Sequence, residues 1–94
     1  MARERIVESR LKRRIEDVGG ACAKFTGAVR GEPDRICSFP NKYHCLVETK
    51  WGTGVTPEPH QLRRHAWWRT RGMDVWVVCN DHDIDTVLFH ASAL

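Results

Sequence analysis

The chain has 94 residues, 41% of them hydrophobic and 9% aromatic, which is enough for one small domain with a packed core. Its 15 lysines and arginines outnumber its 12 aspartates and glutamates, so the formal net charge is +3. No apolar run approaches the roughly 18 residues of a membrane span, and the charged N-terminus lacks a signal-peptide apolar region, so we expect one intracellular domain over residues 1–94.

Residues 3–18 predict an amphipathic first helix. Four apolar residues recur at helical spacing and form one stripe, and Gly19 follows as a helix-ending residue. The stripe consists of Val7, Leu11, Ile15 and Val18. Basic residues cover much of the remaining helix surface, and they are Arg3, Arg5, Arg10, Lys12, Arg13 and Arg14.

Three strands are predicted next, over residues 21–25, 35–39 and 43–51. The second and third strands form a hairpin, because residues 40–42 give a proline–asparagine turn signal between two apolar runs. A loop that contains glycine and proline, residues 26–34, separates the first strand from the second.

A linker rich in glycine and proline, residues 52–59, leads to a second helix that starts at Pro57 or Pro59 and ends near Arg71. The inner stripe of this helix is predicted from spacings of four, three and four residues. It consists of Gln61, His65, Trp68 and Gly72.

A short apolar strand is predicted over residues 73–80. Residues 81–94 favour a closing helix capped by Asp81 or Asp83, although part of this segment also suits a strand. The resulting order is α-β-β-β-α-β-α, which predicts an α/β fold with a central mixed sheet flanked by helices.

The four cysteines carry no CxxC spacing, so a zinc site is not indicated, and we expect reduced, buried thiols. They are Cys22, Cys37, Cys45 and Cys79.

All lysines and arginines lie before Gly72, and the tail after it contains only acidic charges. One side of the molecule is therefore expected to be positive, which suits a polyanion such as nucleic acid. A solvated basic helix face explains the same composition without any function.

Glu48 and Lys50 lie two residues apart at the end of the third strand, so they are expected on the same side of it. Asp34 opens the preceding strand of the hairpin and is expected near Glu48. Two carboxylates at one end of a sheet suit Mg²⁺, which prefers oxygen ligands and takes only one or two protein carboxylates. A lysine there can orient a water molecule or stabilise charge on a phosphate oxygen. Taken singly, the pair is also explained as a surface salt bridge.

Glu8 and Gln61 lie at or beside the inner stripes of their helices and could reach the same end of the sheet. Each has a simpler explanation. Glu8 can pair with Lys12 at i,i+4 spacing, and Gln61 can bond a backbone group in the first turn of its helix.

The segments "GEPDR" and "LVETKW" resemble the PD-(D/E)xK nuclease motif, with Pro33-Asp34 followed by Glu48-Thr49-Lys50. Together with "VESRLKRRIEDVGGACAKF" and "PEPHQLRRHAWWRTRGMDVWVV", they resemble a stand-alone VRR-NUC domain, the virus-type replication-repair nuclease, over most of the chain. The resemblance implies a restriction-endonuclease-like core.

The resemblance also implies roles for individual residues. Asp34, Glu48, Lys50 and Gln61 are the implied catalytic residues. The implied ligands of Mg²⁺ or Mn²⁺ are Glu8, Asp34, Glu48 and the backbone carbonyl of Thr49. Lys24 matches a family lysine that contacts DNA phosphate, and further phosphate contacts are expected from Arg10, Arg13, Arg14, Arg30, Arg35, Arg63 and Arg64.

The function these features indicate is metal-dependent, structure-selective DNA hydrolysis. Small stand-alone members of the family resemble Holliday-junction resolvases that act as homodimers, so the resemblance implies branched DNA, DNA repair, and the cytoplasm of a bacterial or phage-infected cell. A non-catalytic basic DNA-binding module remains the alternative. Three tryptophans are candidates for an exposed interface, although each also suits the core: Trp51, Trp67 and Trp76.

Overall fold

A computed structural model of the chain describes residues 2–27, 29–52 and 54–94. Its elements follow the predicted order, which confirms the α/β architecture. They are α1 (Ala2–Asp17), β1 (Ala21–Lys24), β2 (Arg35–Ser38), β3 (His44–Thr49), α2 (Pro59–Arg69), β4 (Val75–Val78) and α3 (Asp81–Ser92). Met1, Ala28 in the predicted loop and Thr53 in the predicted linker lie outside the described ranges.

The four strands form one sheet in the order β1-β2-β3-β4. β1, β2 and β3 are antiparallel, whereas β4 runs parallel to β3, so the sheet is mixed as predicted. The predicted hairpin is present between β2 and β3, where the amide of Phe39 donates to the carbonyl of Tyr43 at 2.8 Å. The parallel pair requires a crossover, and α2 supplies it.

α1 and α3 cover one face of the sheet. Alternate residues of the strands point to this face and pack against apolar stripes of the two helices. The buried cluster consists of Val7, Leu11, Ile15, Cys22, Cys37, Phe39, Cys45, Val47, Val78, Ile84, Val87 and Ala91. All four cysteines are buried free thiols.

One position of the predicted α1 stripe is wrong. Val18 is 52% exposed, because α1 ends at Asp17 and the chain then turns. Gly19 adopts φ +84° there, and the amide of Gly20 donates to the carbonyl of Ile15 at 2.9 Å, which closes the helix.

α2 lies on the other face of the sheet and buries His65 completely. It starts at Pro59 rather than Pro57, with Glu58 as the N-cap residue, and it ends at Arg69, before the predicted Arg71. The predicted inner stripe is therefore only partly correct, because Gly72 lies beyond the helix and is exposed.

α3 is a helix as predicted, but its cap is Asn80 rather than Asp81 or Asp83. The Asn80 side chain accepts from the amide of Asp83, and the Asp83 carboxylate accepts in return from the amide of Cys79 at 2.8 Å. This reciprocal pair fixes the helix directly after β4.

The expected separation of positive and negative charge is wrong in part. α3 packs beside α1, where Arg10 pairs with Asp81 at 3.4 Å and Arg14 pairs with Asp85 at 2.6 Å. The acidic tail thus partly neutralises the basic first helix.

Two of the three tryptophans that were considered for the core are exposed, Trp51 at 42% and Trp67 at 38%, whereas Trp76 is partly buried. No helix in the described ranges is both long enough and apolar enough to cross a membrane.

We predict that Leu11→Ala destabilises the protein by about 2–5 kcal/mol, because Leu11 is fully buried between α1 and the sheet and its loss leaves a cavity. Urea denaturation measures this change. Leu62→Ala is the matched control, since Leu62 is 42% exposed, and we expect its effect to stay within about 0.5 kcal/mol. Equal losses for the two variants would contradict the packing described here.

Candidate active site

Two carboxylates oppose each other at one end of the sheet. Asp34 immediately precedes β2, and the antiparallel register that pairs Arg35 with Val47 places Asp34 across from Glu48. One oxygen of Asp34, Oδ2, accepts from both the amide and the hydroxyl of Thr49, at 2.8 and 2.9 Å. These two bonds fix the Asp34 side chain against β3.

Glu48 is only 2% exposed, and α2 supplies its hydrogen-bond partners. Gln61 Nε2 donates to Glu48 Oε2 at 3.3 Å, and His65 Nε2 lies 3.3 Å from Glu48 Oε1. Gln61 and His65 are four residues apart, so they lie on the same face of the helix. The alternation of β3 explains the geometry, because Val47 points to the α1 side of the sheet and Glu48 to the α2 side.

The Gln61 amide also serves the start of its own helix. Its Oε1 accepts from the backbone amide of Glu58 at 2.8 Å, while its Nε2 reaches Glu48. The simpler explanation of Gln61, a backbone bond in the first turn, and the proposed role at the site are thus both present. The N-terminus of α2 is tied to the carboxylate of β3 through one side chain.

The pKa of the Glu48 carboxyl is raised from its ordinary value of 4.5. Burial is the main cause, the hydrogen bond from His65 acts against it, and the adjacent negative charge of Asp34 raises the pKa further. The ammonium of Lys50 lowers it. The protein therefore holds a carboxylate where ionisation is unfavourable unless positive charge is near.

Lys50 is the first residue after β3. Its amide donates to the carbonyl of Val78 at 2.9 Å, which continues the parallel pairing with β4 by one residue. The positive charge of Lys50 lowers the pKa of both the Glu48 carboxyl and the Cys79 thiol, against the effect of their burial. The ammonium therefore lies at the same end of the sheet as the carboxylates.

Glu8 has different neighbours. Its Oε1 accepts from Arg35 Nε at 2.7 Å and lies 3.8 Å from the ammonium of Lys24. It belongs to α1, and Arg35 shares the α1 side of the sheet with Val47. The structure thus brings Asp34, Glu48, Lys50 and Gln61 together but engages Glu8 in a separate ion pair.

Sequence reasoning gave His65 a place in the inner stripe of α2 but no role at the site. It is fully buried, and its ring contacts Glu48. When Glu48 is ionised its oxygens only accept, so the bond then runs from His65 Nε2 to Glu48. The other ring nitrogen, Nδ1, is buried and has no hydrogen-bond partner in the described ranges. The spacing of His65 from Gln61 was the available signal, because residues at i and i+4 of a helix can reach the same atom group.

The basic residues assigned to phosphate contacts fall into three groups. Arg13, Arg30 and Arg63 are exposed, and so is Lys24 beside Glu8. Arg10 and Arg14 pair with α3. The side chains of Arg35 and Arg64 are only 13% and 16% exposed and bind Glu8 and Glu32. Their role in DNA binding stays a prediction.

The residues at the sheet end fit one hard divalent cation. Asp34 and Glu48 offer carboxylate oxygens at a place where their mutual repulsion favours bound positive charge. Over residues 2–27, 29–52 and 54–94, no group of three or more histidine, cysteine, aspartate or glutamate side chains is arranged to hold a metal. A pair of carboxylates lies within the one or two that Mg²⁺ usually takes from a protein, and the metal and Glu8 as a third ligand stay predictions.

We predict that Glu48→Gln stabilises the metal-free protein more at neutral pH than at pH 4.5. A raised pKa means that folding favours the protonated carboxyl, so the stability contributed by Glu48 is present below 4.5 and is lost as the pH rises through the folded-state pKa. Glutamine resembles the protonated form at every pH. Thermal melting of both proteins across this range in chelator measures the difference, and a constant difference would contradict the raised pKa.

The chain is similar to a solved structure over nearly its whole length. No protein-family model matches the chain, and no curated protein matches it. Among solved structures, a chain described as "VRR_NUC domain" is similar over 94% of this chain and 96% of its own length. The two are 34% identical, and the TM-score is 0.87. Identity at this level over nearly the whole length indicates common descent as well as a shared fold.

Proposed function

The chain belongs to the VRR-NUC family of nuclease domains, and from this membership we propose that it is a divalent-metal-dependent enzyme that hydrolyses phosphodiester bonds of branched DNA. The observation that carries the proposal is the set of Asp34, Glu48 and Lys50 at one end of the sheet. The two acidic groups offer oxygen ligands to a divalent cation, and the amine offers a positive charge to a phosphate oxygen.

Asp34 and Glu48 would hold Mg²⁺ or Mn²⁺, which supplies positive charge to the scissile phosphate and acidity to water. The chain's own residues set the geometry for this. Thr49 holds the Asp34 carboxylate through two hydrogen bonds, and the Gln61 and His65 side chains hold that of Glu48. Both carboxylates are therefore oriented before substrate arrives, which lowers the reorganisation needed during reaction.

We assign Lys50 the role of contacting the scissile phosphate. Its ammonium stabilises negative charge that grows on the phosphate oxygens, and it can orient the attacking water by a hydrogen bond. Because Lys50 follows β3 directly, its backbone is fixed at the end of the sheet by the bond to Val78.

Selectivity for branched DNA and a homodimeric, Holliday-junction-resolvase-like assembly are further parts of the proposal. Contacts from arginines to phosphates carry little sequence information, so DNA shape rather than base sequence would select the substrate. A chain of 94 residues with one such site would need a second copy to cut both strands of a junction symmetrically.

We predict that Glu48→Gln and Lys50→Ala each reduce cleavage of a labelled four-way junction in Mn²⁺ by roughly 100-fold or more, because each removes charge that acts on the transition state. Single-turnover cleavage on denaturing gels measures this. Lys42→Ala is the matched control, since Lys42 is an exposed lysine in the β2–β3 turn at the opposite end of the sheet, and it should cleave like the parent.

The two variants should still bind the junction in chelator. Binding by the parent without any metal-dependent cleavage would support the non-catalytic DNA-binding module instead. Cleavage at the parent rate by both variants would remove Glu48 and Lys50 from the active site.

A further inference from the structure

A cleft lies beside the candidate active site, between α2 and the segment that precedes β2. Its volume is about 290 Å³, which is at the lower limit for small-ligand pockets and suits a single nucleotide. We call it the α2 cleft and define it by its lining residues, which are Val29, Arg30, His60, Arg63, Arg64 and Trp67.

Contacts of Gly31 and Glu32 with α2 hold the walls of the α2 cleft in place. Gly31 adopts φ +94°, and a Cβ there would lie only 2.7 Å from the carbonyl oxygen of His60, so glycine is what allows this segment to pack against the first turn of α2. Glu32 then accepts from both Arg64 Nε and Trp68 Nε1. The shape of the cleft is thus fixed by backbone packing and side-chain hydrogen bonds.

Trp67 supplies an aromatic surface at the cleft. Its side chain is 38% exposed, and the guanidinium carbons of Arg64 and Arg71 each lie 3.9 Å from the centre of its ring. Arg64 lies one turn before Trp67 in α2, and Arg71 lies just beyond the C-terminal end of the helix, so the indole contacts one arginine from the helix and one from the turn that follows it. Arg64 is fixed by Glu32, whereas Arg71 is exposed and its guanidinium donates to the carbonyl of Trp67 at 3.0 Å and to the hydroxyl of Thr70 at 3.2 Å. A base that stacks on this face of the indole would have to replace Arg71 there.

The cleft is also positively charged. Arg30 and Arg63 are exposed, and neither forms an ion pair within residues 2–27, 29–52 and 54–94. Arg64 is neutralised by Glu32, so the surplus charge is that of Arg30 and Arg63. A ligand that satisfies both the charge and the ring must carry anionic groups and a flat aromatic face.

An unpaired DNA strand has both properties, and a continuous duplex has only the first. Bases inside a duplex are stacked on each other and expose edges, whereas unpaired bases can stack on tryptophan or arginine planes. We propose that the α2 cleft binds an unpaired DNA strand, with phosphates on Arg30 and Arg63 and a base on the Trp67–Arg64 surface. This proposal deepens the proposed function and rests on it for the identity of the substrate.

The position of the cleft supports this assignment. His60 precedes Gln61, which contacts Glu48, and Arg30 lies four residues before Asp34. A strand held in the cleft therefore runs along the same helix that supplies the hydrogen-bond partners of Glu48, on a neighbouring face of that helix. The cleft would select junctions or ends that present unpaired nucleotides near the scissile bond.

The test measures binding of the protein to DNA in the absence of metal. Fluorescence anisotropy reports binding to a labelled oligothymidylate and to a labelled blunt duplex of equal length. We expect Trp67→Ala to bind the oligothymidylate roughly tenfold more weakly, since one base stack is worth about 1–3 kcal/mol, and to bind the duplex within about twofold of the parent. Trp67→Phe should retain most of the affinity. Arg63→Ala should lower the slope of binding against salt by about one.

Arg13→Ala is the matched control for Arg63→Ala, because Arg13 is an exposed arginine on α1, across the sheet from the cleft. Equal losses for oligothymidylate and duplex with Trp67→Ala, or no loss for either, would overturn the proposal. If Trp67→Ala fails to fold, Arg63→Ala tests the proposal instead. Its binding to the oligothymidylate must then show a lower slope against salt than that of Arg13→Ala.

Cleavage in Mn²⁺ on the same substrates separates this proposal from the proposed function. A parent that cleaves DNA, with a Trp67→Ala variant that binds both substrates as the parent does, would remove the cleft and keep the nuclease. A parent that binds through the cleft but cleaves nothing would keep the strand-binding site and remove the nuclease.

Discussion

The repulsion between two carboxylates across the β2–β3 pair is the constraint on which the site depends. The register of the hairpin places Asp34 across from Glu48, and hydrogen bonds from Thr49, Gln61 and His65 orient the two carboxylates. Burial would make this arrangement unfavourable without the surrounding donors. Part of this unfavourable energy is offset by hydrogen bonds from Thr49, Gln61 and His65. Lys50 supplies a positive charge nearby. A divalent cation is the partner for which the remaining negative charge is suited.

Most of the fold could be predicted from the sequence, because it depends on local patterns. The apolar spacing of α1, the turn between β2 and β3, and the glycines after the helices gave the order of elements and all but their ends. The errors concern termini. Val18 continues the apolar spacing of α1 in the sequence, and Gly72 continues the helical spacing of α2. At both positions, however, the helix has already ended. Spacing alone does not tell where hydrogen bonding ends.

The site was predicted less completely, and the reason is also physical. Asp34, Glu48 and Lys50 are close in the hairpin, so local pairing brings them together. The partners from the helices depend on packing over long distances in the chain. His65 looked like an ordinary inner residue, and Glu8 looked free to reach the sheet end although Arg35 holds it. The sequence showed that the aspartates follow the basic residues in the chain, but it did not show that α3 returns Asp81 and Asp85 to the arginines of α1.

The ion pair between Glu8 and Arg35 has one more implication. The Glu8 carboxylate oxygen that accepts from Arg35 is also the atom nearest to Lys24, so a single oxygen is shared by two cationic side chains. Removal of the Glu8 carboxylate would therefore leave two neighbouring cations without their shared counter-charge, and the cost falls mainly on Arg35, whose side chain is only 13% exposed.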